Sequence, residues 1–120
     1  MLKKRIDSFG FAFKGIFDLF LTQPNAKIHA FAAIFVVLCG WYFGISRTEW
    51  CLCVFAISSV LAAEAFNTGL EYLTDLVSPD YHVLAGKAKD AAAAGVLLTA
   101  IGAVIVGLVI FLPKFLLMLP

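Results

Sequence analysis

Charge is what this 120-residue chain has least of: 14% of its residues are Asp, Glu, Lys or Arg, against about 25% in average soluble domains. Apolar residues make up 62%, and the mean hydropathy is +0.98. A soluble monomer this small cannot hide so much apolar surface, because small domains bury the smallest share of their chain. An ordinary soluble domain and a disordered chain are both excluded. The net charge is +1, so no basic field marks a nucleic-acid partner. Cysteine is sparse as well. Cys39, Cys51 and Cys53 lie in apolar runs, without His or carboxylate at metal-ligand spacing. They read as small hydrophobes, not as a disulfide scaffold or a C-x-x-C redox pair. A phosphate-cradling G-x-x-x-x-G-K-[ST] loop is missing too: Gly86-Lys87 lacks the upstream glycine and the following hydroxyl. Any phosphates must be held by lysines and metal instead of a nest of amides. What remains is an all-α membrane protein, a single domain over residues 1–120, whose chemistry comes from a few residues on membrane helices.

Three segments are long and apolar enough to span a bilayer, over 28–45, 50–76 and 91–112. Ser46-Arg47-Thr48-Glu49 separates the first two. Ser78-Pro79-Asp80 stops the second, since proline disfavours helix at the residue before it. Pro113 and Lys114 end or kink the third. Residues 1–21 differ: Ile6, Phe9, Phe13, Ile16, Phe17 and Phe20 recur every three or four residues among charges. That spacing predicts an amphipathic helix lying in the interface. No uninterrupted apolar run follows the basic start, so a secretory signal is not expected. Lysine and arginine crowd the N-terminal segment, at Lys3, Lys4, Arg5, Lys14 and Lys27, and return at Lys87 and Lys89. The first loop has only Arg47 and the C-terminus only Lys114. The N-terminus and second loop are therefore expected on the cytoplasmic side of the membrane. Trp41, Tyr42 and Trp50 form the outer aromatic belt.

The second span carries Glu64, Asn67, Glu71 and Asp75, at offsets of three, seven and eleven. At ~100° per residue they fall within roughly 80° of one helix face. With Trp50 at the outer edge and ~1.5 Å of rise per residue, Glu64 lies ~21 Å in, Glu71 ~32 Å and Asp75 ~38 Å. The hydrocarbon is ~30 Å thick, so Glu64 is inside it and Asp75 reaches water. A carboxylate at the bilayer centre costs ~2.5–3.5 kcal/mol even on the lenient insertion scale. Helix–helix glue explains one such group; four graded along one stripe point to cation, proton or phosphate chemistry. A small proton- or cation-coupled transporter is the rival reading. It would place its acid near the midplane with access from both sides, whereas this polarity opens one way.

The run Glu64-Ala-Phe-Asn67-Thr-Gly-Leu-Glu71-Tyr-Leu-Thr-Asp75 resembles the E-x-x-N-[ST]-x-x-E-x-x-x-D signature of the prokaryotic diacylglycerol kinase family. Tyr81-His82-x4-Lys87-Ala88-Lys89-Asp90 resembles its second signature, H-x4-[KR]-x-K-D, followed by small residues. The family includes diacylglycerol and undecaprenol kinases. The resemblance implies a homotrimeric membrane lipid kinase using ATP and magnesium, phosphorylating a lipid alcohol at the cytoplasmic interface, with a site that subunits can share. It implies Glu64 as general base; Glu71 as metal ligand; Asn67, Asp75 and Lys89 as nucleotide contacts; and Asp90 as positioning Lys89 or the nucleotide. Phosphoryl transfer needs these parts: positioning, charge over the phosphates and an oriented nucleophile.

One position departs from the pattern. Family members usually carry a second metal-ligating glutamate just before the first span, where this chain has Gln23. Either the metal is held with less protein charge, or a residue such as Asp18 substitutes, or activity is reduced, down to an inactive member of the family. The Asn25-x-Lys27-x-His29 pattern looks closer to the undecaprenol kinases. His29 itself reads as an interfacial polar residue, His82 as a loop hydrogen-bonder and Asp90 as an N-cap of the third span that can also serve the site. Ala91, Gly95, Thr99, Ala103 and Gly107 recur every four residues and form a packing face, within or between subunits.

Overall fold

The computed structural model describes residues 1–120 as four helices and no strands: α1 (Leu2–Thr22), α2 (Pro24–Phe43), α3 (Arg47–Val77) and α4 (Val83–Leu116). α2, α3 and α4 are each long and apolar enough to cross a membrane.

Local chemistry sets the corners. Gln23 is extended (φ −104°, ψ 110°) and Pro24 opens α2. Proline pushes the residue before it out of the helical region and itself suits the first helical position. α2 ends at Gly44, in the left-handed region with φ 58°, which glycine adopts at little cost. α3 starts on a capping box: Ser46 Oγ accepts from Glu49 N–H, and Glu49 Oε1 accepts from Ser46 N–H, both at 3.1 Å. This S-x-x-E pattern satisfies two otherwise orphaned amides.

α4 departs from expectation. It begins at Val83, because His82 Nδ1 accepts the Leu84 amide at 3.1 Å and caps it. Asp90 therefore lies within the helix and is not its N-cap. The helix also runs through Pro113 to Leu116; so close to the end, proline removes one donor without ending the element.

α3 is the central rod. It packs most extensively along α4 and also against α2, while α1 touches α2 and α3 alone. Only nine residues are buried, so one chain leaves most of its apolar faces to lipid or to other chains. A small core of Ile45, Cys53 and Ile110, flanked by Trp50 and Phe111, closes the end that carries the α2–α3 loop. There Lys114 Nζ lies 3.2 Å from Glu49 Oε2, fastening α4 to the start of α3. At the other end Leu19 and Ala26 are buried where α1 meets the bundle. The small-residue stripe of α4 is loosely packed: a methyl group added at Gly95 or Gly107 would meet nothing within 4 Å, and Ala103 and Gly107 border an apolar cavity shared with α2 and α3.

Candidate active site

Helix α3 is unbroken from Arg47 to Val77, so the four polar residues of the stripe occupy one continuous rod. Their burial is graded as their depths predict. Glu64 is 2% exposed and is the largest fully buried side chain; Asn67 and Glu71 are half-buried, and Asp75 is exposed. Polarity thus rises from the apolar interior toward the α3–α4 loop.

Within the stripe Asn67 Nδ2 donates to Glu71 Oε1 at 3.3 Å, a pairing that i, i+4 spacing allows. The amide oxygen of Asn67 and the hydroxyl of Thr68 are buried without partners. Unpaired buried polar atoms are costly and rare, and their position beside Glu64 marks unfilled hydrogen-bonding capacity inside the stripe.

The second motif comes in from α4. Lys89 Nζ lies 2.5 Å from Asp75 Oδ1, joining the last turns of α3 to the first turns of α4. The Asp75 hydrogen bond, aided by the charges of Asp75 and Glu71 against some desolvation, holds the Lys89 ammonium above the usual lysine range. It is therefore a fixed cation at neutral pH. Asp90 is exposed and makes no side-chain hydrogen bond or ion pair, and Lys87 is likewise exposed. The lysine is oriented by Asp75 across the helix pair, not by its neighbour in sequence.

Gln23 sits at the α1–α2 corner, half-buried, its amide 3.4 Å from Thr22 Oγ1. Asp18 is engaged elsewhere: Tyr72 OH donates to Asp18 Oδ2 at 2.8 Å and lies 3.4 Å from Thr22 Oγ1. These contacts fasten α1 to α3 one residue beyond Glu71. No group of three or more His, Cys, Asp or Glu side chains converges on a metal position. The donor types, the Glu71 carboxylate with one oxygen accepting from Asn67 and the neutral amide oxygen of Gln23, fit a hard cation that brings phosphate oxygens with it, as magnesium does.

One participant was underrated by the sequence. His29, on the second turn of α2, places Nε2 3.3 Å from Glu64 Oε1, its side chain 24% exposed. The distance is that of an ion pair, but Oε1 lacks an aligned hydrogen bond. The signal was available: two polar residues in apolar helices, with nothing else to satisfy either. His29 also lines an apolar cavity of about 250 Å³ between α2, α3 and α4, walled by small residues such as Ala32, Ala56, Ala103 and Gly107.

Comparison with known proteins agrees with the motifs. Residues 10–111 match the family model described as prokaryotic diacylglycerol kinase. The undecaprenol kinase of Bacillus subtilis (strain 168) is 39% identical over 113 residues, covering 94% of this chain and 92% of the relative. A diacylglycerol kinase of Synechocystis is 39% identical over 91% of this chain and 63% of its own length. The diacylglycerol kinase of Escherichia coli K12 is 26% identical over 83% of this chain and 82% of its own.

Proposed function

This chain belongs to the prokaryotic diacylglycerol kinase family and is a membrane lipid kinase, and on that footing we propose that it transfers the γ-phosphoryl group of ATP to the hydroxyl of diacylglycerol or undecaprenol at the cytoplasmic interface. The observation that carries the reading is the gradient along α3, from a buried Glu64 to a water-exposed Asp75 held against Lys89. A greasy alcohol and a hydrated triphosphate must meet somewhere, and this rod offers a carboxylate at the depth of the first and charged groups at the depth of the second.

In this proposal Glu64 accepts the proton of the lipid hydroxyl. That oxygen bonds to the γ-phosphorus as the bond to the β–γ bridging oxygen breaks and ADP leaves; Glu64 then yields its proton to water. Lys89, positioned by Asp75, contacts phosphate oxygens, with Asn67 and Asp90 contributing to nucleotide binding. Glu71 is the carboxylate for magnesium, and Gln23 offers it a neutral oxygen. Held there, a magnesium ion would supply positive charge against that of the phosphates.

The whole chain acts as one lipid-kinase domain. α1 lies in the cytoplasmic interface as an amphipathic helix, its Phe9, Phe13 and Phe17 uncovered by the rest of the chain, and the N-terminus is cytoplasmic. A homotrimer closes the apolar faces that one chain leaves uncovered, and lets one subunit complete the site of another.

The test supplies radiolabelled ATP with diacylglycerol or undecaprenol to the purified protein in mixed micelles and follows labelled lipid. Glu64→Gln should keep the fold and lose roughly 10²–10⁴-fold in turnover, the range of a general base. Near-normal rates in that variant defeat the base assignment. The lipid that gives the greater kcat/KM is the substrate.

A further inference from the structure

We infer that His29 is a positioning residue for Glu64: its imidazole stands against one carboxylate oxygen from α2 and leaves the other for the lipid hydroxyl. The inference rests on Glu64 being the base. It starts from a cost. A carboxylate 2% exposed in an apolar bundle has given up its water, and an uncompensated buried charge is expensive. The side-chain polar atom placed against it is His29 Nε2, 3.3 Å from Oε1. The other titratable groups of the stripe do not compete, because Glu71 is turned to Asn67 and Asp75 to Lys89.

The two residues stand on different helices. Glu64 has a long side chain with several rotamers, and a partner on its own helix would hold it only along that helix. A partner on α2 fixes the carboxylate across the gap between rods, and so fixes where its remaining oxygen points. The pair is loosely aligned here: within contact distance, but without a formed hydrogen bond. Catalytic hydrogen bonds are often long in the unliganded state and tighten with substrate. His29 also lines the apolar cavity between α2, α3 and α4.

The contact is made by Nε2, and that makes the inference specific. Glutamine carries an amide N–H at nearly the reach of Nε2, whereas asparagine carries one only at the reach of Nδ1. His29→Leu should therefore lower kcat roughly 10- to 100-fold, the scale of a base displaced by about 1 Å, with the KM for ATP unchanged. His29→Gln should recover to within a few-fold of the wild-type kcat, and His29→Asn should not. If His29→Leu does not fold, the Gln and Asn variants still decide the matter through the same ratio. Equal kcat in His29→Gln and His29→Asn, or a change confined to the KM for ATP, overturns the inference. Measured alongside, Glu64→Gln separates the two claims. If it stays active, the base reading fails and takes this inference with it; if it is inactive while His29→Leu turns over normally, the base stands and only the positioning role falls.

Discussion

Lys89 and Asp75 form an ion pair at 2.5 Å that ties the end of α3 to the start of α4, yet both side chains are largely in solvent, 42% and 61% exposed. Exposed pairs add little to stability. Under the proposed function the pair instead holds a cation ready for phosphates. Lys89→Met should raise the KM for ATP roughly ten-fold or more, the size of one lost charge-assisted hydrogen bond, and barely move the thermal midpoint in detergent. Asp75→Asn should do the same more weakly, since the lysine stays but loses its anchor. A large fall in midpoint with an unaltered KM would make the pair a structural clasp.

Gln23 poses a question of charge. A hard cation gains affinity with each added carboxylate, and Gln23 provides none. With Asp18 held by Tyr72 at 2.8 Å, no other acidic side chain at the α1–α2 corner is free to replace it. Gln23→Glu should lower the magnesium concentration for half-maximal activity several-fold. The check is a magnesium titration at saturating ATP. An unchanged curve would remove position 23 from the metal site.

The large features were legible because they are periodic. Offsets of three, seven and eleven put Glu64, Asn67, Glu71 and Asp75 on one face, and an unbroken α3 keeps them there. Three membrane-length runs became three long helices. What escaped was anything decided by a contact between helices. That Lys89 turns to Asp75, fourteen residues away, and not to adjacent Asp90, follows from how α4 lies on α3. That His29 reaches Glu64 follows from the turn at residues 44–46, which folds α3 back along α2. The early start of α4 was hidden for a local reason: His82 caps it through its own ring nitrogen, a less familiar signal than Ser, Thr, Asp or Asn.

Glu49 gives a pH signature at the opposite end of the bundle from the site. The Ser46 backbone hydrogen bond chiefly, and then Lys114, hold its carboxyl below the ordinary value of 4.5. A folded-state value below the unfolded one means that the stabilisation is complete above about pH 4.5 and is lost as pH falls through the lowered folded value. Thermal midpoints of the wild type should therefore drop on acidification below 4.5 more steeply than those of Glu49→Gln, which starts lower and has nothing there to titrate. Parallel curves would show that Glu49 contributes no linked stability.

Gly40 and Gly95 contrast in what the chain packs against them. A methyl group at Gly40 would sit 2.6 Å from Cη2 and 2.9 Å from Cζ2 of Trp50, a ring wedged against the Ile45–Cys53–Ile110 core. Overpacking of this kind costs about 1–3 kcal/mol, so Gly40→Ala should lower the midpoint whatever the oligomeric state. The Gly40→Ala/Trp50→Leu double variant should lose less than the sum of the two singles, as expected for residues in contact. Gly95→Ala is the opposite case. Its new methyl meets nothing within the chain, and replacing a helical glycine should by itself stabilise by about 0.5–1 kcal/mol. If α4 packs against another subunit along this stripe, Gly95→Ala should instead weaken assembly and shift the particle toward smaller species in size-exclusion with light scattering. An intact oligomer with a raised midpoint would place the subunit interface elsewhere.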